Sequence, residues 1–375
     1  MSKKSVSTTV EEPRTLLLSA YFAPECELDE VHFAEEFVSL INTAKIHYDE
    51  IFHVKMRQMV SSQFLTKGKL SEFSSLAGEG KFERIYCSLR LSPMQKRNLE
   101  NLTNCQVFDR SDLILQIFKN AAVSAEGRLQ VKMAEAELMK TRLSGQGGEM
   151  GQQQSGSMAR GPGETHREYV KRFFKKEFAH SKRQLEALQR IRKTQRERRL
   201  EAGKPIFAIV GYTNAGKSSL INALTGSNTL VENKLFATLD TTTKELFIDT
   251  KTQVLISDTI GFISNIPHNL IAAFKSTLDE LCYADVLLHM VDIANSAWPE
   301  QICVVNQTLQ EIGVVKSMVY VFNKVDSLSP EQQALAIKQL ELSDFKPYVM
   351  LSVKNRTNFD LLKKLIKKLS SKKQT

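Results

Sequence analysis

Hydrophobic and polar positions change period several times along this chain, and each change predicts an element. Residues 15–21 form a short apolar run and predict a buried strand. Residues 29–45 place Val31, Phe33, Phe37, Leu40 and Ile41 at helical spacing. Strand-like runs at 85–89 and 105–108 then alternate with helix-like runs at 92–101 and 112–121. That alternation predicts a small α/β domain over residues 15–122, after a flexible N-terminus at 1–14. The next periodic stretch, 125–143, predicts a helix with Leu129, Ala136 and Leu143 seven apart. A second helix follows over 164–200, where Phe174, Phe178, Ser181, Leu185 and Leu188 recur as a packing seam. A Gly/Gln-rich loop at about 144–163 joins the two, so 123–203 predicts an antiparallel two-helix arm. Apolar strand-like runs then return within 204–370, beginning at 206–210.

Three of these later strands run into motifs with a chemical purpose. After 206–210 comes GYTNAGKSSL, which fits G-x-x-x-x-G-K-[ST] and leads into a helix that ends near Gly226. Strand, tight loop and helix together make a phosphate cradle. Backbone N–H groups of Gly211, Tyr212, Thr213, Asn214, Ala215 and Gly216 and of the helix start would meet β- and γ-phosphates. Lys217 adds a positive charge there, and the Ser218 hydroxyl suits Mg²⁺. The run 254–261 ends in D-x-x-G: Asp258, Thr259, Ile260, Gly261. Asp258 suits the Mg²⁺ shell through a water, and the Gly261 N–H can face a γ-phosphate. The run 318–326 ends in N-K-x-D: Asn323, Lys324, Val325, Asp326. A carboxylate at Asp326 can accept from guanine N1–H and N2–H₂, a donor pair adenine lacks, which points to GTP. Asn323 would support the purine edge, and the Lys324 stem would cover the base. A last strand-like run ends in Ser352, Val353 and Lys354, where a backbone N–H can reach guanine O6.

Between the first two motifs lies LFATLDTTT, residues 235–243. A GTPase needs a mobile loop here whose threonine closes on Mg²⁺. The residues leave Thr238 in competition with Thr241, Thr242 and Thr243, which also suit the start of a strand. After Asp258 no glutamine orients water, because Thr259-Ile260-Gly261-Phe262 follows. Slow unaided turnover is the expectation, with His268 and Asn269 as candidate helpers and with stimulation by a partner.

Composition changes the picture in one place. The chain of 375 residues carries a net charge of +9. Residues 167–200 hold 13 basic and 4 acidic side chains, an excess equal to that of the whole chain. The rest is balanced, and the excess sits just before the phosphate loop, which suggests a polyanionic partner. Arginine and lysine at this density suit RNA phosphates, and the RNA-contact candidates are Arg160, Arg167, Lys171, Arg172, Lys175, Lys176, Lys182, Arg183, Arg190, Arg192 and Lys193. No apolar run approaches the roughly 20 residues that span a bilayer. The basic start has no apolar segment of a secretory signal. Five cysteines without a C-x-x-C pair argue against a zinc site or disulfide framework and read as small core residues of a reducing cytoplasm. The TKGK stretch at 66–69 offers a second phosphate cradle, although it reads first as a basic turn.

The stretches GYTNAGKSSLINALT, LFATLD, DTIGFI and NKVD resemble the HflX GTPases of the Obg–HflX group of translation-factor-class GTPases. FLTKGKLSEF, LSPMQKRNLE, VFDRSDLILQIF and ARGPGET extend the resemblance to nearly the whole chain. It departs from the family where the compact Gly-rich run is lengthened by a Gln/Ser/Gly insertion within 147–164. The resemblance implies a P-loop GTPase domain with a mostly parallel, doubly wound sheet over 204–370, behind the small α/β domain and the arm. It implies GTP hydrolysis, Ser218 and Thr238 as Mg²⁺ ligands, and Phe236, Ala237, Thr238, Leu239 and Asp240 as switch I contacts to the nucleotide. Lys217, Thr238 and Gly261 would then carry the catalysis. Binding to the large ribosomal subunit and its rRNA, in splitting, rescue or recycling of ribosomes, is the implied role. The expected protein is a cytoplasmic monomer without stable membrane insertion, with peripheral membrane association as a second setting. The competing reading is a GTP-dependent switch acting on a protein or membrane partner.

Overall fold

A computed structural model describes residues 13–22, 30–56, 62–144, 166–201, 203–227, 235–236, 241–265, 267, 270 and 275–371. The chain divides into two compact units: Met1–Gln116 with Arg142–Ala159, and Ile117–Thr141 with Arg160–Thr375.

The first unit is built on a four-stranded parallel sheet in the order β2-β1-β3-β4. Its strands are β1 (Thr15–Phe22), β2 (Glu50–Met56), β3 (Arg84–Cys87) and β4 (Gln106–Phe108). Helices α1 (Glu30–Thr43), α2 (Lys67–Glu79) and α3 (Pro93–Thr103) connect them, and α4 (Arg110–Ala121) follows β4. β1 is central, and residues 15–21 are all buried, which explains its unbroken apolar run. Leu16, Leu18, Phe64, Phe73, Ile85 and Leu99 belong to one core, each buried apolar side chain contributing roughly 1.5–3 kcal/mol. Ser92 and Gln95 form a capping box at the start of α3, with Pro93 at its first position.

One strand was not foreseen and one expectation is corrected. β2 gave no clear signal, because it alternates buried and exposed positions over only seven residues. The TKGK stretch is helical and not a turn: Thr66 stands at the N-cap position of α2 without a side-chain cap bond, Gly68 lies in its first turn, and Lys69 pairs with Glu72 at 2.8 Å.

The second unit carries a six-stranded sheet in the order β10-β9-β8-β5-β7-β6. The strands are β5 (Ile206–Gly211), β6 (Thr243–Phe247), β7 (Gln253–Ser257), β8 (Val286–Asp292), β9 (Ser317–Asn323) and β10 (Tyr348–Met350). All pairs are parallel except β6 with β7. β5 is buried throughout and β8 nearly so, as expected of a sheet covered on both faces. The helices α7 (Lys217–Thr225), α8 (Lys275–Tyr283), α9 (Trp298–Glu311), α10 (Pro330–Leu342) and α11 (Phe359–Ser371) intervene or follow. Registers that pair Gly211 with Met290 and Asp292 with Asn323 bring the carboxyl ends of β5, β8 and β9 together.

Ahead of this sheet, α5 (Ala125–Ser144) and α6 (His166–Glu201) are helical; the joining loop, with Arg160, lies outside the described residues. On α6, Ser181 and Leu185 are buried and Phe174, Phe178 and Leu188 half-buried, so the seam is the covered side. Lys171, Arg172, Lys175, Lys176, Lys182, Arg183 and Arg190 are exposed; the side chains of Arg167, Arg192 and Lys193 are not described. Among the described residues no helix is long and apolar enough to cross a membrane. Cys87 and Cys105 are buried, but Cys282 and Cys303 are exposed, so the core reading fails for that pair. Cys26 lies outside the described residues.

Candidate nucleotide-binding site

The loop between β5 and α7 is shaped by glycine. Gly211 has φ +149°, and a Cβ there would stand 2.2 Å from the Met290 carbonyl oxygen. Gly216 has φ +99°, and its Cβ would meet Asn323 Nδ2 at 2.5 Å. Both positions therefore exclude any side chain. Asn214 takes the left-handed conformation at φ +63°, which asparagine tolerates. The loop is tied to the D-x-x-G segment by two backbone bonds: Thr213 N–H donates to the Phe262 carbonyl at 2.7 Å, and Phe262 N–H to that of Gly211 at 3.1 Å. Tyr212 adds a third tie, its hydroxyl accepting from Ser264 N–H at 2.8 Å.

Inside this frame Lys217 is buried, and its ammonium donates to the carbonyls of Gly211 (3.1 Å) and Tyr212 (2.8 Å). Burial lowers its pKa to about 8, against the opposing pull of the Asp258 carboxylate. The Ser218 hydroxyl donates to Asp258 Oδ2 at 2.8 Å, and Thr259 N–H donates to Oδ1 at 3.0 Å. Thr259 hydroxyl anchors the segment by donating to the Ile209 carbonyl at 2.6 Å. Gly261 lies against the lysine: a Cβ there would be 3.1 Å from Lys217 Nζ and 2.8 Å from Thr213 Cγ2. Thr213 Oγ1 is buried with no hydrogen-bond partner among the described residues. A cradle of positive-φ glycines, a buried ammonium on two carbonyls, an unsatisfied hydroxyl and a Ser–Asp oxygen pair is the donor set that a triphosphate with a hard, oxygen-seeking cation requires.

One contributor was not foreseen. His289 on β8 pairs in register with Val210 and Tyr320 and is buried behind the loop, its ring 5.4 Å from that of Tyr320. Burial first, and then the Lys217 charge, push its pKa down to about 3, so the ring is neutral. A lone histidine interrupting the apolar run of β8 was the available signal.

The N-K-x-D segment also ties loops together. Asn323 is buried, its Nδ2 donating to the Ala215 carbonyl and its Oδ1 accepting from Val353 N–H, both at 3.0 Å. Its amide thus joins the phosphate loop to the last loop, and the second N–H of Nδ2 remains a donor for a purine edge. Lys324 follows at φ +66° and pairs with Asp292 at 2.7 Å. Asp326 sits in the short 3₁₀ turn Val325–Ser327 with its side chain exposed. Ser352 is buried, and its hydroxyl accepts from Asn355 N–H at 3.0 Å. Since Val353 N–H is occupied, a contact to guanine O6 would fall to another amide of this loop, such as that of Lys354. An exposed carboxylate beside such amides offers guanine both an acceptor and donors.

Of the 235–243 loop, Leu235 and Phe236 are described and buried. Phe236 has φ +55° and meets Phe118 edge-on, ring centroids 4.7 Å apart. Ala237, Thr238, Leu239 and Asp240 lie outside the described residues, as do His268 and Asn269.

Family comparison agrees with this geometry. Residues 206–324 match the model described as "50S ribosome-binding GTPase". Residues 32–119 match "GTP-binding GTPase N-terminal", and 121–199 match "GTP-binding GTPase Middle Region". The GTPase HflX of Caldanaerobacter subterraneus subsp. tengcongensis is 36% identical over 359 residues, covering 96% of this chain and 81% of that protein. GTPase HflX of Escherichia coli (strain K12) is 33% identical over 346 residues, covering 92% and 77%. The crystal structure of the SsGBP and GDP complex aligns over 96% of this chain and 99% of that one, with a TM-score of 0.51. At 22% identity that likeness concerns the fold alone.

Proposed function

The chain belongs to the GTPase HflX family, and from that premise we propose that this GTP-binding and GTP-hydrolysing protein is Mg²⁺-dependent and works on the large ribosomal subunit. There it acts in splitting, rescue or recycling of ribosomes. The observation that carries the ribosomal half is the row of exposed cations on α6, from Lys171 to Arg190, on a helix whose seam residues Ser181 and Leu185 are buried. Such a face suits rRNA phosphates. Among relatives, the matched model over 206–324 is itself described as ribosome-binding. The protein would work in the cytoplasm as a monomer.

In this reading the amides of residues 211–218 surround the β- and γ-phosphates. The Lys217 ammonium turns from the loop carbonyls to phosphate oxygens. Ser218 and Thr238 would hold Mg²⁺, with Asp258 acting through a water, and the ion would supply charge neutralisation at the phosphates. Switch I, residues 236–240, closes over the nucleotide, and Gly261 N–H reports the γ-phosphate. Asp326 selects guanine, while Asn323 keeps the phosphate and base loops in register. Ile260, Phe262 and Ile263 are apolar and buried, so this segment supplies no amide to orient water, and unaided turnover is slow. Contact with the ribosome would complete the site.

Co-sedimentation with purified large subunits tests this. The protein should pellet with a non-hydrolysable GTP analogue more than with GDP, and release as salt rises from roughly 50 to 200 mM. No pelleting with any nucleotide at the lower salt would overturn the ribosomal reading.

A further inference from the structure

A second basic surface lies on the sheet-bearing unit, away from the phosphate loop and distinct from the face of α6. Helix α11 spends its apolar side on the core, where Leu362 and Ile366 are buried and Phe359, Leu365 and Leu369 pack against them. Its other side presents Lys364, Lys367 and Lys368, all exposed. The β6–β7 turn faces it. Asp249 in that turn pairs with Lys367 at 2.7 Å and accepts from the N–H groups of Lys251 (2.9 Å) and Thr252 (2.8 Å). The turn is therefore held in one shape and tied to the helix. Between turn and helix runs a groove of about 360 Å³, lined by Lys251, Lys364, Lys367 and Lys368, with Thr252 and Ser371. No acidic side chain is among the lining residues. The Asp249 carboxylate of the turn is engaged by Lys367, by two amides and by the Thr252 side chain.

We propose that this groove binds the sugar–phosphate backbone of RNA. Four cations on two facing walls suit a chain of phosphates. Lys364, Lys367 and Lys368 stand at i, i+3 and i+4, where Cβ atoms are about 5–6 Å apart, so neighbouring phosphates of one strand can each meet a cation. A bilayer surface fits less well. An interfacial helix inserts its apolar side, and α11 has used that side within the protein. The groove also lies along the route of the chain from the basic helix: α6 ends at Glu201, and Pro205 lines the groove. The inference deepens the ribosomal reading and rests on it for the identity of the RNA.

The test is fluorescence anisotropy with a labelled single-stranded RNA of about 16 nucleotides, across roughly 50–200 mM salt. The full chain would be compared with Lys364→Gln/Lys368→Gln, with Lys251→Gln on the opposite wall, and with Lys175→Gln/Lys176→Gln on α6. The helix double variant should bind about tenfold more weakly at low salt, its salt slope shallower by about 1.4, at ~0.7 per phosphate contact on a single strand. Lys251→Gln should lose about half that slope, and basal GTP turnover should not change in either. Wild-type affinity and slope in both groove variants, with loss in the α6 variant, would sink the groove and leave the arm standing. No RNA binding by the unaltered protein would remove both. Binding to phosphatidylserine vesicles that the groove variants lose, while their RNA affinity is unchanged, would overturn the proposal in favour of a membrane.

Discussion

The two sheets share an arrangement at their centre and differ in what occupies it. In each, the first strand lies between two strands that follow it in the chain and run parallel to it: β1 between β2 and β3, β5 between β7 and β8. Open α/β sheets take ligands at such crossover points, at the carboxyl ends of the strands. In the first unit that point is stapled. Ser88 hydroxyl donates to the Ala20 carbonyl and accepts from Ala20 N–H, both at 2.8 Å. Arg110 is buried beside it, paired with Glu36 and 3.5 Å from the Ser88 carbonyl. In the second unit the central strand ends in Gly211, and the backbone opens into the phosphate loop. Topology alone therefore does not make a site; one central strand is stapled to its neighbour by a side chain, and the other leads into a glycine-shaped loop.

The sharpest way to break this comparison is to alter both centres. Gly211→Ala places a Cβ 2.2 Å from the Met290 carbonyl, so nucleotide affinity should fall by more than about 100-fold, beyond the cost of one lost charge-assisted bond. Ser88→Ala should instead cost about 1–3 kcal/mol of stability, the penalty of stranding buried polar groups, and leave affinity within about twofold. Titration with a fluorescent GDP, beside urea unfolding, separates the two; equal losses of affinity in both variants would refute the contrast.

Next in size is Lys217→Ala. Losing a charge-assisted bond of about 1.5–3 kcal/mol should weaken GTP by up to ~100-fold, without unfolding the chain by circular dichroism. Asn323→Ala removes two buried hydrogen bonds that link the loops, and about tenfold weaker binding of GTP and GDP alike is expected. Unchanged affinity for both would remove the loop-linking role.

The smallest effect is one of pH. The free Lys217 is charged below about pH 8 and neutral above it, because its pKa is lowered, whereas bound phosphates favour the charged form. GTP binding should therefore take up a proton at alkaline pH and weaken as pH rises, roughly fourfold by pH 8.5. Calorimetry in two buffers of different ionisation enthalpy reads that proton. His289, with its pKa down at about 3, contributes nothing in this window.

What the sequence disclosed follows the same division. Gly211, Gly216, Lys217, Ser218 and Asp258 were legible because phosphate and metal chemistry permits few residue types at fixed spacing. Strands β5, β7 and β9 were legible as apolar runs ending in those motifs, whereas the order of strands in the sheet was not. Asn323 was found, but its ties to Ala215 and Val353 were not, because both are distant in sequence and only the folded sheet brings them near. His289 was missed because its one trace, a lone histidine in the apolar run of β8, does not say that the phosphate-loop lysine lies near it. Gly68 misled for the opposite reason: a glycine between lysines looks like a loop, yet the first turn of α2 accepts it. The contact of Phe236 with Phe118 joins residues 118 positions apart and has no local signature.

The central claim is a GTP hydrolysis that the ribosome completes. Its most direct test is GTP turnover with and without purified large subunits, at low and high salt. Slow turnover alone, rising strongly with subunits and falling back at higher salt, is the predicted result. Clean GTP binding with no stimulation at either salt would contradict it, and would move the search to protein or membrane partners.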